Sequence, residues 1–334
     1  MLGRKIIGMD FGTSKIKMYK TGSGIILEEK NVIAVENRSK VLAIGDNAYE
    51  MLGKSPDRIQ VSMPIQNGVI ADLENMKLLL NAFLDKVSGK GKIRSSDYLV
   101  AIPTNITEVE KRAFYELVQH SNGKAKKVSI VHRPLVAALG MDVDITKSKG
   151  VMVVDMGADT TEIAVMSLGG IVLSKIIPIG GNKMDESIKT VMKKEGLFIG
   201  DKTAELIKNE LSSAIEPTDK KMNIFGRNVM NGLPTESTID ADTVYHAIRE
   251  HLLGIVSAIR VILERTPPEI ASDIIDAGIY VTGGLAQIKG LDTLIQTETN
   301  LQVNIAEKSE NSVIKGLGAM AENRNLMGLA VLVK

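Results

Sequence analysis

Two short segments of the chain carry an acidic residue and a glycine in an arrangement that suits phosphate chemistry. Asp10 is followed by Gly12 and Thr13, and Asp155 is followed by Gly157. A nucleoside triphosphate with hydrated magnesium needs close backbone N–H donors, hence a turn without bulky side chains, and a nearby carboxylate. A single Asp-x-Gly is more often an ordinary turn. The two matching copies therefore favour a phosphate site.

Each acidic turn lies between two apolar runs that are typical of β-strands. The runs are residues 5–9 and 16–19 in the first copy, and residues 151–154 and 163–166 in the second. Both copies therefore predict a strand, a tight turn and a second strand.

The elements after the first hairpin predict an α/β unit. Apolar residues at helical spacing predict a helix over residues 70–87, and a strand follows over residues 98–102. Thr107 and Glu110 have the spacing of a capping box, which predicts that the next helix begins there.

The second half follows a similar order. The pattern predicts a helix over residues 242–263 that ends before Pro267, and a strand over residues 278–282 that leads to Gly283. Residues 217–234 are rich in Lys, Asn, Gly and Pro, which predicts a surface loop or small insertion. Two similar α/β halves indicate a duplicated fold that faces a shared cleft, where ligands usually bind.

Composition excludes several classes of protein. The 334 residues carry a formal net charge of +1, which gives no long-range field for nucleic acid. The absence of cysteine excludes disulfides and thiolate metal sites, and four histidines make a zinc site a poor fit. No apolar stretch is long enough for a signal peptide or a membrane span, so we expect a cytoplasmic protein.

Several longer segments resemble the MreB rod-shape-determining proteins, a family of bacterial actin homologues. They include IPTNITEVEKRA (102–113), GGNKMDE (180–186) and TPPE (266–269), with residues 67–72 and 167–172. The resemblance covers nearly the whole chain. It implies the α/β fold of the actin, Hsp70 and sugar-kinase (ribonuclease H-like) class, with two lobes around an ATP cleft. The implied subdomains are IA (1–30, 65–145, 315–334), IB (31–64), IIA (146–180, 240–314) and IIB (181–239).

The same resemblance implies the cofactors ATP and Mg2+ and a set of residues that bind them. The implied ATP-binding residues are Gly12, Thr13, Ser14, Gly157, Ala158, Asp159, Thr160, Gly181, Glu205, Lys208, Gly283, Gly284, Leu285 and Ala286. Lys17 is added to this ATP-binding set because of its spacing from Asp10, which is that of actin and not usual in the MreB family. Asp10 and Asp155 are expected to hold the metal through water, and Thr160 is a possible catalytic residue. Without the family, Glu205 and Lys208 would be an i,i+3 surface pair.

The most consequential departure from the family is Arg133. The family has a glutamate at this position, directly before the proline, where it orients the water that attacks the γ-phosphate. A guanidinium is permanently protonated and cannot replace that carboxylate, so we expect a weak ATPase at most. Arg133 could instead contact the γ-phosphate. The neighbouring His132 is expected to be structural rather than a catalytic base.

Other positions also depart from the family pattern. The second phosphate loop has Ala158 and Asp159 where the family has glycines, which is expected to weaken nucleotide binding unless Asp159 binds magnesium. Leu285 also stands where the family has glycine. Lys17 has the spacing from Asp10 at which actin carries a phosphate-binding lysine, with a solvated strand lysine as the alternative.

The resemblance also implies partners. Subunits would stack head to tail into filaments, as paired protofilaments, and would meet other MreB paralogues and cell-wall elongation proteins. Membrane contact would depend on weak attraction of Lys90, Lys92 and Arg94 to anionic lipid at the inner face of the cell membrane, and a solvated loop is the alternative. Two other functions stay open: a chaperone- or sugar-kinase-type enzyme, and a paralogue that co-assembles without nucleotide chemistry.

Overall fold

The computed structural model describes residues 5–37, 40–88 and 96–332. The strands, in chain order, are β1 (Ile6–Phe11), β2 (Lys15–Lys20), β3 (Gly24–Lys30), β4 (Ile33–Glu36), β5 (Lys40–Ile44), β6 (Ile59–Ser62), β7 (Ile65–Gln66), β8 (Val69–Ile70), β9 (Asp97–Ile102), β10 (Lys127–His132), β11 (Val151–Met156), β12 (Thr161–Ser167), β13 (Gly170–Ile177), β14 (Leu197–Phe198), β15 (Lys221–Asn228), β16 (Pro234–Asp240), β17 (Ile279–Thr282), β18 (Val303–Ile305) and β19 (Val331–Leu332).

The helices lie between these strands. In chain order they are α1 (Gly45–Met51), α2 (Leu73–Ser88), α3 (Glu108–Gln119), α4 (Arg133–Gly140), α5 (Gly181–Lys194), α6 (Asp201–Leu211), α7 (Ala241–Arg265), α8 (Pro268–Ala277), α9 (Leu291–Thr299) and α10 (Ser312–Glu322). Short 3-10 turns occur at Gly284–Gln287, Ser309–Asn311 and Arg324–Leu329.

The chain divides into two compact units. The first contains the described parts of Met1–Lys149, Met166–Ser174 and Glu310–Lys334, and the second contains Gly150–Val165 and Lys175–Ser309. The four-subdomain division and the shared cleft stay predictions.

The first unit is built on a sheet with the order β19-β10-β9-β1-β2-β3. β1 pairs antiparallel with β2 and parallel with β9, which in turn pairs parallel with β10. One core packs α2 and α3 against this sheet, and its largest side chains include Phe11, Phe83 and Phe114. Burying each of these rings contributes about 1.5–3 kcal/mol to stability. α10 packs closely along α4.

The second unit repeats this design. Its main sheet has the order β13-β12-β11-β17-β18, which corresponds strand for strand to β3-β2-β1-β9-β10 of the first unit. β11 pairs parallel with β17, and β17 pairs parallel with β18. The predicted duplication of an α/β unit is therefore confirmed.

Most of the predicted elements form, with shifted ends. α2 begins at Leu73 rather than residue 70, because Ile70 belongs to β8 and the carboxylate of Asp72 accepts a hydrogen bond from the Asn75 N–H at 3.0 Å. The capping box is confirmed: Thr107 Oγ1 accepts from the Glu110 N–H, and Glu110 accepts from the Thr107 N–H. α7 ends at Arg265, before the prolines.

The prediction of a surface loop over residues 217–234 was wrong, and the alternative of a small insertion stays a prediction. The middle of this segment forms β15, which pairs with β14 on one side and β16 on the other. Alternate residues of β15 face inward, with Ile224 buried, but Phe225 occupies the exposed face and obscures the period of two.

The predicted membrane contact depends on three basic residues. Lys90, Lys92 and Arg94 lie outside the described residues. Within the parts of the chain that the structure describes, every helix is too short or too polar to cross a membrane.

Candidate functional site

The first acidic hairpin forms a tight turn that requires glycine. The Gly12 N–H donates to the Lys15 carbonyl at 3.1 Å, and a Cβ at Gly12 would lie 2.6 Å from that carbonyl oxygen. The side-chain amide of the buried Asn31 donates to the Thr13 carbonyl at 3.0 Å, and the Asn31 N–H donates to the Ser14 carbonyl at 2.9 Å. Asn31 therefore anchors the turn, and no sequence pattern had indicated it.

Lys17 is not a solvated strand lysine, so that alternative was wrong. It is opposite Asp10 in the β1–β2 register and only 3% exposed. Its ammonium donates to the Glu310 carbonyl and, at 2.6 Å, to Asn311 Oδ1. Burial lowers the pKa of Lys17, against the attraction of Asp10 and Glu28. The amine is thus held at the base of the first hairpin, and its contact with phosphate stays a prediction.

Arg133 contacts the first hairpin directly. Its Nη2 donates to Asp10 Oδ1 at 3.1 Å and to the Phe11 carbonyl at 3.0 Å. Both side chains are largely buried, with 13% exposure for Arg133 and 11% for Asp10. The residue that replaces the family's glutamate is therefore paired with a predicted magnesium carboxylate.

His132, directly before Arg133, has a structural setting. Its Nδ1 lies 3.3 Å from the Pro103 carbonyl, and burial lowers its pKa. The residue stands at the N-cap of α4. The structural role of His132 stays a prediction.

The second acidic hairpin has the same turn as the first. The Gly157 N–H donates to the Thr160 carbonyl at 2.9 Å, as Gly12 does to Lys15. The start of α5 closes over this turn, since the Gly181 N–H donates to the Gly157 carbonyl and the Asn182 N–H donates to the Ala158 carbonyl. The structure thus brings the second loop and Gly181 together.

The carboxylate of Asp159 accepts a hydrogen bond from a residue in the first turn of α5. The Asn182 side-chain amide donates to Asp159 Oδ1 at 2.6 Å. A carboxylate near a helix N-terminus is stabilised by the helix dipole. This contact gives Asp159 a local structural function, and a magnesium role for it stays a prediction.

Lys208 is buried, so the surface-pair interpretation of Glu205 and Lys208 was wrong. The Lys208 ammonium pairs with Asp185 Oδ2 at 2.8 Å and donates to the Gly181 carbonyl at 3.2 Å. Burial raises the pKa of Asp185 despite the opposing attraction of Lys208. Glu205 is partly exposed on the same helix. Lys208 thus links α6 to the first turn of α5, through Gly181 and Asp185.

The predicted adenosine loop begins directly beside the second hairpin. Gly283 has a φ of 89°, and a Cβ there would lie 2.6 Å from Asp155 Oδ1 and 2.3 Å from the Met156 carbonyl. A side chain at Gly284, by contrast, would meet no atom within 4 Å. Leu285 and Ala286 are buried. The second unit therefore brings Asp155, the second loop, Gly181, Lys208 and this loop into one neighbourhood.

The donor groups for magnesium are few. The described residues contain no cluster of three or more His, Asp or Glu that could hold a metal ion. Arg133 donates to Asp10 Oδ1, so this carboxylate already has a protein cation, and its role in holding magnesium through water stays a prediction. Asp155, which is 9% exposed, keeps that role as a prediction.

Comparisons with known proteins agree along nearly the whole chain. A family model described as MreB/Mbl protein matches residues 4–328. The cell shape-determining protein Mbl of Bacillus subtilis (strain 168) is 40% identical over 320 residues, which are 95% of this chain and 96% of that protein. The cell shape-determining protein MreB of Escherichia coli (strain K12) is 37% identical over 330 residues, 96% and 94% of the two chains.

Solved structures also match. The crystal structure of MreB5 of Spiroplasma citri bound to AMPPNP has a TM-score of 0.90 and 32% identity, over 95% of this chain and 96% of that chain. The same protein bound to ADP has a TM-score of 0.91 and 31% identity, over 98% of both chains.

Proposed function

This chain belongs to the MreB/Mbl family, and we propose on that premise that it is a filament-forming bacterial actin homologue that determines cell shape. The observation that carries the proposal is a match over nearly the full length of both this chain and the cell shape-determining relatives. The fold is that of the actin, Hsp70 and sugar-kinase class, as the resemblance implied.

The proposed ligand is an adenine nucleotide. A relative of this fold binds AMPPNP, an ATP analogue, and ADP. In this chain the two hairpins are closed by equivalent hydrogen bonds, from the Gly12 N–H to the Lys15 carbonyl and from the Gly157 N–H to the Thr160 carbonyl. Tight turns of this kind can offer neighbouring backbone N–H groups to phosphate. We propose that the ATP-binding residues predicted from the sequence act together in this way. Magnesium, where it takes part, would be held through water by Asp155.

Filament formation is the first experimental test. The purified chain with excess ATP and magnesium is expected to sediment in the ultracentrifuge and to show filaments by negative-stain electron microscopy. A kinase or chaperone of the same fold would stay in the supernatant. A chain that sediments equally without nucleotide, and shows no heat of ATP binding by calorimetry, would be a nucleotide-insensitive paralogue instead.

Hydrolysis is proposed to be weak, because no carboxylate stands at position 133 to position water. Replacing Arg133 with glutamate restores the residue type that the family uses there. We expect the rate of phosphate release in the presence of magnesium to rise at least about tenfold. This increase is smaller than the rate enhancement that a well-positioned acid or base usually gives. An unchanged rate in a folded Arg133→Glu variant would show that this position does not limit hydrolysis.

Partners and location are proposed from family membership. We propose head-to-tail filaments of paired protofilaments, contact with MreB paralogues and cell-wall elongation proteins, and a location in the cytoplasm at the inner face of the cell membrane. Nucleic acid is not a proposed partner, because the net charge is only +1.

A further inference from the structure

The carboxylate of Asp10, at the end of β1, is already paired with a protein cation, the guanidinium of Arg133. Arg133 Nη2 lies 3.1 Å from Asp10 Oδ1, and the same nitrogen is 3.0 Å from the Phe11 carbonyl. The guanidinium is charged at any physiological pH and is planar, so it holds a fixed geometry better than an ammonium does. The two partners are separated by 123 positions in the chain, and both are largely buried.

The position of Arg133 is set by the fold rather than by a flexible side chain alone. Arg133 is the first residue of α4, with Pro134 in the first turn, and α4 packs along α10. Moving the guanidinium off Asp10 would leave a largely buried carboxylate without its cation, which is costly. A hydrated divalent cation at Asp10 would therefore have to displace Arg133 or lie beside it against charge repulsion.

A second cation lies at the same end of the hairpin. Lys17 faces Asp10 across the β1–β2 pair. Its ammonium lies 3.9 Å from Glu28 Oε1, which also pairs with Lys15. Asp10 thus has two fixed protein cations near it. The charge that a metal would bring to this hairpin is already supplied by side chains.

We infer that Arg133 replaces the metal at the first hairpin, so that this chain binds ATP with little dependence on magnesium. The inference rests on the proposed nucleotide binding and concerns affinity, not hydrolysis. The inference also gives Arg133 a function at the position where the family has a glutamate. The arginine provides a permanent positive charge, whereas the family's glutamate provides a negative charge that orients water.

Isothermal calorimetry with ATP, in excess magnesium and in excess EDTA, tests the inference. For the natural chain we expect the two Kd values to agree within about threefold. In Arg133→Gln the fixed cation is lost, so we expect the Kd to rise about tenfold or more in EDTA and to be largely restored by magnesium, the loss expected for one charge-assisted contact. Arg133→Lys keeps the charge and should stay nearer the natural chain.

Arg112→Gln is the matched control, because Arg112 is 75% exposed and pairs only with Glu116 on its own helix among the described contacts. Circular dichroism establishes that each variant is folded. If the natural chain loses affinity in EDTA as strongly as Arg133→Gln does, the inference is wrong while nucleotide binding stands. If the natural chain binds ATP in neither condition, the proposed nucleotide function itself fails.

Discussion

Replacing Gly316 with alanine is expected to destabilise the first unit by about 3 kcal/mol or more, at or above the upper end of what overpacking usually costs. A Cβ at Gly316 would lie 1.7 Å from the Val136 carbonyl oxygen and 3.0 Å from the Gly140 nitrogen. The contact is reciprocal, since a Cβ at Gly140 would lie 1.8 Å from the Ser312 carbonyl oxygen. These neighbours are backbone atoms, so no side chain can rotate away, and α4 and α10 would have to separate.

The same substitution should weaken nucleotide binding. α4 begins with Arg133, and α10 directly follows Asn311, which accepts a hydrogen bond from Lys17. Separation of the two helices would therefore disturb both cations beside Asp10. Gly316→Ala is expected to lower the thermal midpoint and the urea midpoint, measured by circular dichroism, and to reduce ATP affinity in calorimetry.

Gly328→Ala is the control for that experiment. Gly328 lies in the 3-10 turn Arg324–Leu329, and a Cβ there would have no neighbour within 4 Å. Its midpoint should stay close to that of the natural chain. Equal midpoints for Gly316→Ala and Gly328→Ala would show that α4 and α10 do not pack at this distance.

The hairpins were predictable because their signal is local. An acidic residue, a glycine and flanking apolar runs determine a strand, a turn and a strand within about a dozen residues. The capping box of α3 was predictable for the same reason, since Thr107 and Glu110 are three positions apart. Local patterns of this kind need no knowledge of which other elements lie nearby.

The partners of the charged residues were not predictable. Asp10 and Arg133 are 123 positions apart, and Asp185 and Lys208 are 23 positions apart on different helices. Periodicity assigns a residue to a face of a helix or strand, but the sequence does not say which face of another element covers it. Lys208 therefore looked like a surface residue, although it lies on the buried face of α6.

The family resemblance predicted which residues bind ATP and magnesium, and the structure adds a contact that bears on the role of Arg133. Arg133 was expected to impair hydrolysis because it lacks a carboxylate. Its contact with Asp10 adds a second consequence, for the metal, that a single substituted position cannot reveal. Asn31 shows the opposite case, in which a buried residue that anchors a turn has no motif of its own.

Lys208→Met is expected to cost about 3–5 kcal/mol of unfolding free energy at neutral pH, the usual penalty for leaving one partner of a buried ion pair uncompensated. Asp185 would lose its paired cation in a buried site, where either an uncompensated charge or the uptake of a proton at neutral pH costs stability, and its Oδ1 already lacks a hydrogen-bond partner among the described residues. Asp201 and Glu205 add repulsion from α6. Urea unfolding measures the loss.

The loss should depend on pH in a defined direction. Burial raises the pKa of Asp185 above the ordinary value of 3.8. A carboxyl whose pKa is higher in the folded state contributes stability below its unfolded pKa, and that contribution is lost as pH rises through the folded pKa. Removing Lys208 raises the folded pKa further. The deficit of Lys208→Met should therefore be small near pH 4 and should grow as pH rises towards neutrality.

Two further variants make this result specific to the buried pair. Lys220→Met removes an exposed partner of Glu210, at 2.9 Å, and should change stability little at any pH. Adding Asp185→Asn to Lys208→Met removes the uncompensated charge and should abolish most of the pH dependence. A deficit that is the same at pH 4 and pH 7, or that persists unchanged in the double variant, would mean that Lys208 stabilises α5 and α6 by packing of its aliphatic chain and not by its charge.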